Sequence, residues 1–147
     1  MLKTIRRALE KDSERIKRFL ERAELSTVGI EDSIDNFLIV ENEAFEIEGT
    51  LGLEILERTG LLRSLVVKPT MDGDDLFALF QNILQLGREK QLSTLYLVSN
   101  KQASVQFFHL LGFQQVDKSK CVEELQQFTH AKAVSTVDNC TIMHFQF

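Results

Sequence analysis

Residues 36–67 hold three apolar runs whose connections are too short to cross over a sheet. Asn36–Glu41, with Phe37-Leu38-Ile39-Val40 at its centre, is joined to Phe45–Arg58 by a turn at Asn42-Glu43-Ala44. Gly60 ends the second run and begins a third, Leu61–Val67, which Pro69 stops. Short runs of this composition bounded by turn residues read as strands. Their connections force antiparallel pairing, because a parallel pair needs a crossover of a dozen residues or more. The next segment is of the opposite kind. Asp72–Lys90 places Leu76, Leu79, Phe80, Ile83, Leu84 and Leu86 at helical spacing. That helix is long enough to carry the chain to a buried strand at Thr94–Val98, parallel to Leu61–Val67. The expectation is an α/β fold: a mixed sheet with helices on both faces.

The flanking segments complete the order. Lys3–Ala8 reads as a first strand, and Asp12 as the start of a helix to Ala23 with Ile16, Phe19, Leu20 and Ala23 on one face. Residues 25–35 read as an irregular or weakly helical connection. Gln102–Leu111 reads as a helix ending at Gly112, which suits a left-handed C-terminal position. Phe113–Val116 is a short strand, Ser119–Phe128 a helix or turn, and Thr141–Phe147 a last strand.

At 147 residues, 44% of them hydrophobic and 27% charged, the chain suits a single domain spanning 1–147. Its longest apolar runs, such as Leu65-Val66-Val67, are far short of a membrane span, and its first residues hold no apolar signal segment. Nucleic-acid binding calls for a basic stripe with stacking aromatics. The net charge is −5, with one tyrosine and no tryptophan, so that class is set aside. Cys121 and Cys140 lie 19 apart, outside any CxxC pair, and the three histidines (His109, His130, His144) have no metal-ligand spacing. The two cysteines read as free buried thiols in a reducing, cytoplasmic compartment, with no metal site.

Three stretches carry a resemblance. Gly60-Leu-Leu-Arg-Ser-Leu-Val-Val-Lys-Pro69 ends on Leu65, Val67 and Pro69; a helix starts directly after it; and Phe107-Phe-His-Leu-Leu-Gly-Phe113 closes the next helix. In this order they resemble the GNAT N-acetyltransferase superfamily over essentially the whole chain. The resemblance implies an enzyme that moves acetyl from acetyl-CoA to the amine of a small molecule by direct attack, without metal. It also implies a splay between the fourth and fifth strands, whose exposed backbone at Leu65, Val66 and Val67 pairs with the pantetheine arm. A backbone N–H at Leu65 or Val66 would meet the charge that develops on the thioester oxygen. Gly29-Ile-Glu-Asp-Ser-Ile-Asp-Asn-Phe37, Leu61-Leu-Arg-Ser-Leu65 and Phe107–Phe113 look like the ArsN-type or ArgA-like enzymes, which acetylate the α-amino group of amino acids or their analogues. A homodimer through the apolar C-terminal strand fits the family habit.

One loop departs from the family. Its (Arg/Gln)-x-x-Gly-x-(Gly/Ala) turn, which curls under the diphosphate, aligns with Asp72-Gly-Asp-Asp-Leu-Phe77. Only Gly73 keeps the turn's freedom. Asp72 suits a helix N-cap, and Asp74 and Asp75 suit the first turn, but carboxylates beside a diphosphate oppose it. Two functions follow: an N-acetyltransferase, or an inactive GNAT-fold binding module that has lost acetyl-CoA.

Among candidate site residues, Arg63 and Ser64 interrupt an apolar strand. Arg63 either clamps a substrate carboxylate or pairs with Glu54 or Glu57. Glu54 is the candidate general base, with a solvent-facing strand residue as the alternative. Phe108 stands where the family often has a tyrosine proton donor. Asn100 corresponds to the family's cofactor asparagine or is a plain N-cap. His109 reads as exposed and Tyr96 as core.

Overall fold

The computed structural model describes residues 3–99, 102–117, 125, 127–128 and 141–147. Seven strands form one sheet: β1 (Thr4–Arg7), β2 (Phe37–Glu41), β3 (Ile47–Leu56), β4 (Thr59–Val67), β5 (Thr94–Ser99), β6 (Gln114–Val116) and β7 (Thr141–Gln146). Their order is β1-β2-β3-β4-β5-β7-β6. Among the described residues the α-helices are α1 (Ser13–Arg22), α2 (Gly73–Glu89) and α3 (Gln102–Leu111). β1 to β2 and β2 to β3 pair antiparallel, and β4 pairs parallel with β5 across the α2 crossover. This is the mixed sheet that the connection lengths require. The expected helix or turn at Ser119–Phe128 lies almost wholly outside the described residues, as do Cys121, Cys140 and His130.

The chain divides into two compact units, residues 1–53 with 63–86 and residues 54–62 with 87–147. In the first, α1 lays Ile16, Phe19 and Leu20 into a cluster with Ala8, Ile30, Ile34, Phe37, Ile39 and Ile47. Phe37 pairs with Gly52 in the β2–β3 register, and a Cβ on Gly52 would stand 2.6 Å from the Phe37 ring. Glycine is the residue that lets the ring lie flat on the neighbouring strand. In the second unit, Leu61, Tyr96, Leu125, Phe128 and Ile142 form a separate cluster. Phe108, Phe113, Phe145 and Phe147 run as successive ring contacts 5.1–6.1 Å between centroids. Gly112 takes φ 105°, the left-handed C-terminal residue that ends α3.

Asp12 stands at the N-cap position of α1, where the helix was expected to start. Its side chain does not cap α1, because a 3-10 turn, Glu10–Asp12, precedes the helix. Only 1% exposed, Asp12 instead accepts both Arg6 Nη atoms (2.9 and 3.0 Å), Arg15 Nη1 (3.3 Å) and the Leu9 N–H (2.8 Å). Glu41 on β2 accepts from the same two arginines, at 2.7 and 3.2 Å. A buried carboxylate needs such partners. The Arg6 hydrogen bond is the main cause that holds the Asp12 carboxyl down to about 2.

Candidate functional site

Ser64 lies in the middle of β4 with φ 59°. A residue in the left-handed region inside a strand breaks the ladder and turns the next peptide, as in a β-bulge. The burial pattern changes there: Gly60 through Ser64 are buried, whereas Leu65 and Val67 are exposed and Val66 packs on the first unit's core. Two hydrogen bonds hold the break. Thr50 Oγ1, fully buried, donates to the Ser64 carbonyl at 2.9 Å, and Arg63 Nε donates to Ser64 Oγ at 3.1 Å. In the second unit, the β4–β5 pairing covers Thr59–Leu61 against Thr94–Tyr96 among the described residues.

Beyond β4 the chain turns through Lys68–Asp72 into α2. Asp72 Oδ1 accepts the Asp75 N–H at 2.9 Å, and Asp75 Oδ2 accepts the Asp72 N–H at 3.1 Å. This is a reciprocal capping box, so the N-cap expectation for Asp72 is met. Lys3 Nζ reaches Asp75 Oδ2 at 2.8 Å and the Thr70 carbonyl at 2.5 Å. The Lys3 hydrogen bond, followed by that of the Asp72 amide, lowers the Asp75 carboxyl below its usual range. Nothing lies within 4 Å of a Cβ placed on Gly73, and Phe77, one turn on, is 41% exposed. The start of α2 thus has an open glycine and an exposed ring, but two of its amides face carboxylates of the same chain.

Arg63 is 5% exposed. Its Nη1 donates to the Val28 carbonyl at 2.7 Å and its guanidinium lies over the Phe37 ring at 5.7 Å. The side chain therefore ties β4 to the segment after α1, close to Gly29 (φ 78°). Sequence reasoning missed Thr50, Val28 and Lys3 because their partners lie 14, 35 and 72 positions away. Glu54 is half-buried near the end of β3, in the second unit. Phe108 is buried edge-on to Phe107 and Phe113, and Tyr96 is buried against His144. His109 is exposed, with Nδ1 3.1 Å from the Phe113 carbonyl at the end of α3. Asn100 lies outside the described residues. Among the described residues no group of three or more acidic, histidine or cysteine side chains could hold a metal.

The uncharacterized protein YwlB of Bacillus subtilis is 34% identical over 118 residues, 80% of this chain and 80% of its own length. The chain belongs to the YwlB family. No protein-family model matches the sequence. Among solved structures, N-acetylglutamate synthase from Neisseria gonorrhoeae, complexed with coenzyme A and N-acetyl-glutamate, superposes with a TM-score of 0.75 at 24% identity. The match covers 99% of this chain and 35% of that one, so the chain spans about a third of the synthase. Rv2747 from Mycobacterium tuberculosis, in complex with CoA, gives 0.75 at 18% identity over 98% and 99% of the two chains. A GNAT-family acetyltransferase from Staphylococcus aureus gives 0.73 at 15% over 99% of each. This YwlB relative therefore has the GNAT fold that its β4 and α3 sequences resemble.

Proposed function

We propose that the protein is an N-acetyltransferase that takes acetyl from acetyl-CoA and passes it directly to the amine of a small acceptor, an amino acid or its analogue. The observation that carries the reading is the break at Ser64. It leaves Leu65 and Val67 as an exposed apolar stretch at the end of β4, against which a pantetheine arm can lie. The peptide that follows the break supplies an N–H donor at Leu65 for the oxygen on which charge develops. Gly73 offers an open approach to the first turn of α2, where amides and the helix dipole favour phosphate. Glu54 is the proposed base for the incoming ammonium. Arg63 orients the acceptor's carboxylate, directly or through the segment that it holds at Val28. Amino-acid acceptors draw support from the N-acetylglutamate named with the synthase structure.

Release of free thiol from acetyl-CoA, followed with a colorimetric thiol reagent across a panel of amino acids and simple amines, tests this. Turnover with α-amino acids that falls at least tenfold in Glu54→Gln is expected, with a raised acceptor KM in Arg63→Lys. No acceptor-dependent thiol release across the panel overturns the proposal. One observation favours the second reading, an inactive binding module: the Asp72–Asp75 capping box occupies amides that a diphosphate would use. That reading requires acetyl-CoA not to bind at all.

A further inference from the structure

We propose that the first unit carries a binding site for a phosphate-bearing small molecule, built from Arg18, Arg22 and Lys68 beside Phe45. α1 spaces Arg15, Arg18 and Arg22 at i, i+3 and i+7, which puts them on one helical face. With Lys68 and Phe45 they line a concavity of about 300 Å³, whose one acidic lining residue among the described residues is Glu46. Arg15 and Lys68 face the carboxylates Asp12, Glu41 and Glu48, so the positive surplus rests on Arg18 and Arg22, in a chain whose net charge is −5.

The cations are not equally committed. Arg15 is spent within the protein, on Asp12, Glu41 and the Phe45 carbonyl. Lys68 Nζ stands 3.8 Å from the buried Glu48 carboxylate, which leaves it two further N–H donors. Among the described residues, the Arg18 and Arg22 guanidiniums make no ion pair or side-chain hydrogen bond, and both are exposed. Arg22, in the last turn of α1, gains from the helix dipole; Arg18 has no such account.

Phe45 stands in the lining beside these cations. Its ring is 75% exposed and its φ is 62°, a conformation that a bulky side chain avoids. The turn is held by Asn42, whose Oδ1 accepts the Ala44 and Glu46 N–H groups at 2.9 and 3.0 Å and whose carbonyl accepts the Phe45 N–H at 3.0 Å. An exposed aromatic ring on a held turn, beside uncommitted guanidiniums, suits a phosphate joined to a planar group: the forks take the phosphate oxygens and the ring takes the plane. A concavity of this size, on an acidic chain, fits a mononucleotide rather than a nucleic-acid strand.

The same chemistry comes from a free nucleotide or from a phosphate of CoA itself, and the titrations separate the two. Isothermal titration of the full chain with adenosine 5′-monophosphate and with inorganic pyrophosphate, at low and at physiological salt, is the test. Saturable binding that weakens at least tenfold in the Arg18→Ala/Arg22→Ala double variant is expected, with Phe45→Ala weakening the nucleotide more than pyrophosphate. Both arginines are exposed, so an unchanged melting temperature confirms that the double variant is folded. Retained binding at saturating CoA supports a separate nucleotide site; mutual exclusion with CoA supports CoA's own phosphate as the source. No binding of either probe, or binding indifferent to the two arginines, overturns the proposal. Binding of an acidic peptide in place of both probes also overturns it. None of these outcomes depends on acetyl transfer, so the enzymatic reading and this site stand or fall separately.

Discussion

Replacing Asp75 by asparagine should tighten the binding of CoA. Asp75 holds the first turn of α2 in two ways: Oδ2 accepts the Asp72 amide at 3.1 Å and the Lys3 ammonium at 2.8 Å. Asparagine keeps the shape and an oxygen for the amide, but removes the charge and leaves Lys3 facing the helix start as an uncompensated cation. A carboxylate ~5 Å from a diphosphate charge costs about 3 kcal/mol at an effective dielectric of ~20. Screening with a Debye length of ~8 Å reduces this to about 2 kcal/mol at physiological salt. That corresponds to roughly a twentyfold change in Kd, growing as salt is lowered. The loss of stability should be about 1–2 kcal/mol, since the Lys3–Asp75 pair is part-buried, with side chains 10% and 28% exposed. Isothermal titration with CoA at two ionic strengths reads the affinity, and a thermal melt reads the stability. A CoA affinity in Asp75→Asn within threefold of the parent at both ionic strengths would refute the assignment of the diphosphate to this end of α2.

Two further outcomes test the fold. Asp12→Ala removes the acceptor of Arg6, Arg15 and the Leu9 amide at once and should cost about 3 kcal/mol, as for other broken buried pairs. Because folding lowers the Asp12 carboxyl from 3.8 to about 2, its contribution is complete above pH ~4 and is lost as pH falls through ~2; chemical denaturation across that window should show a slope that Asp12→Asn flattens. Gly52→Ala should lower stability by about 1–3 kcal/mol through overpacking, since its Cβ would meet the Phe37 ring at 2.6 Å. Pairing it with Phe37→Leu should recover part of the loss.

The parts of the fold legible in the sequence are those set by local rules. Gly112 marked the end of α3 at Leu111, where the structure places it, and connection length alone required the antiparallel start and the parallel β4–β5 pair. The cap at Asp72 was legible because a capping box spans only three residues. Asp12 was legible as the start of α1, but the partners of its side chain were not. An acidic residue ahead of an amphipathic run has the local pattern of an N-cap, but Arg6, Arg15 and Glu41 converge on that position from β1, α1 and β2. The left-handed Ser64 leaves no sequence signal either: serine is not the residue that such a conformation selects, and the Thr50 hydroxyl that holds its carbonyl is 14 residues away. Arg63 was visible as an oddity in an apolar strand, but its contact with the Val28 carbonyl depends on where the chain returns after α1.

The most direct test of the whole account is calorimetry of the unmodified chain with acetyl-CoA and, in parallel, with CoA. The exposed end of β4 after Ser64 and the open approach at Gly73 predict saturable binding at micromolar concentrations, with a rise in melting temperature. Neither heat nor a melting shift at millimolar concentrations of either ligand would contradict it, and would leave the GNAT fold as a scaffold put to another use.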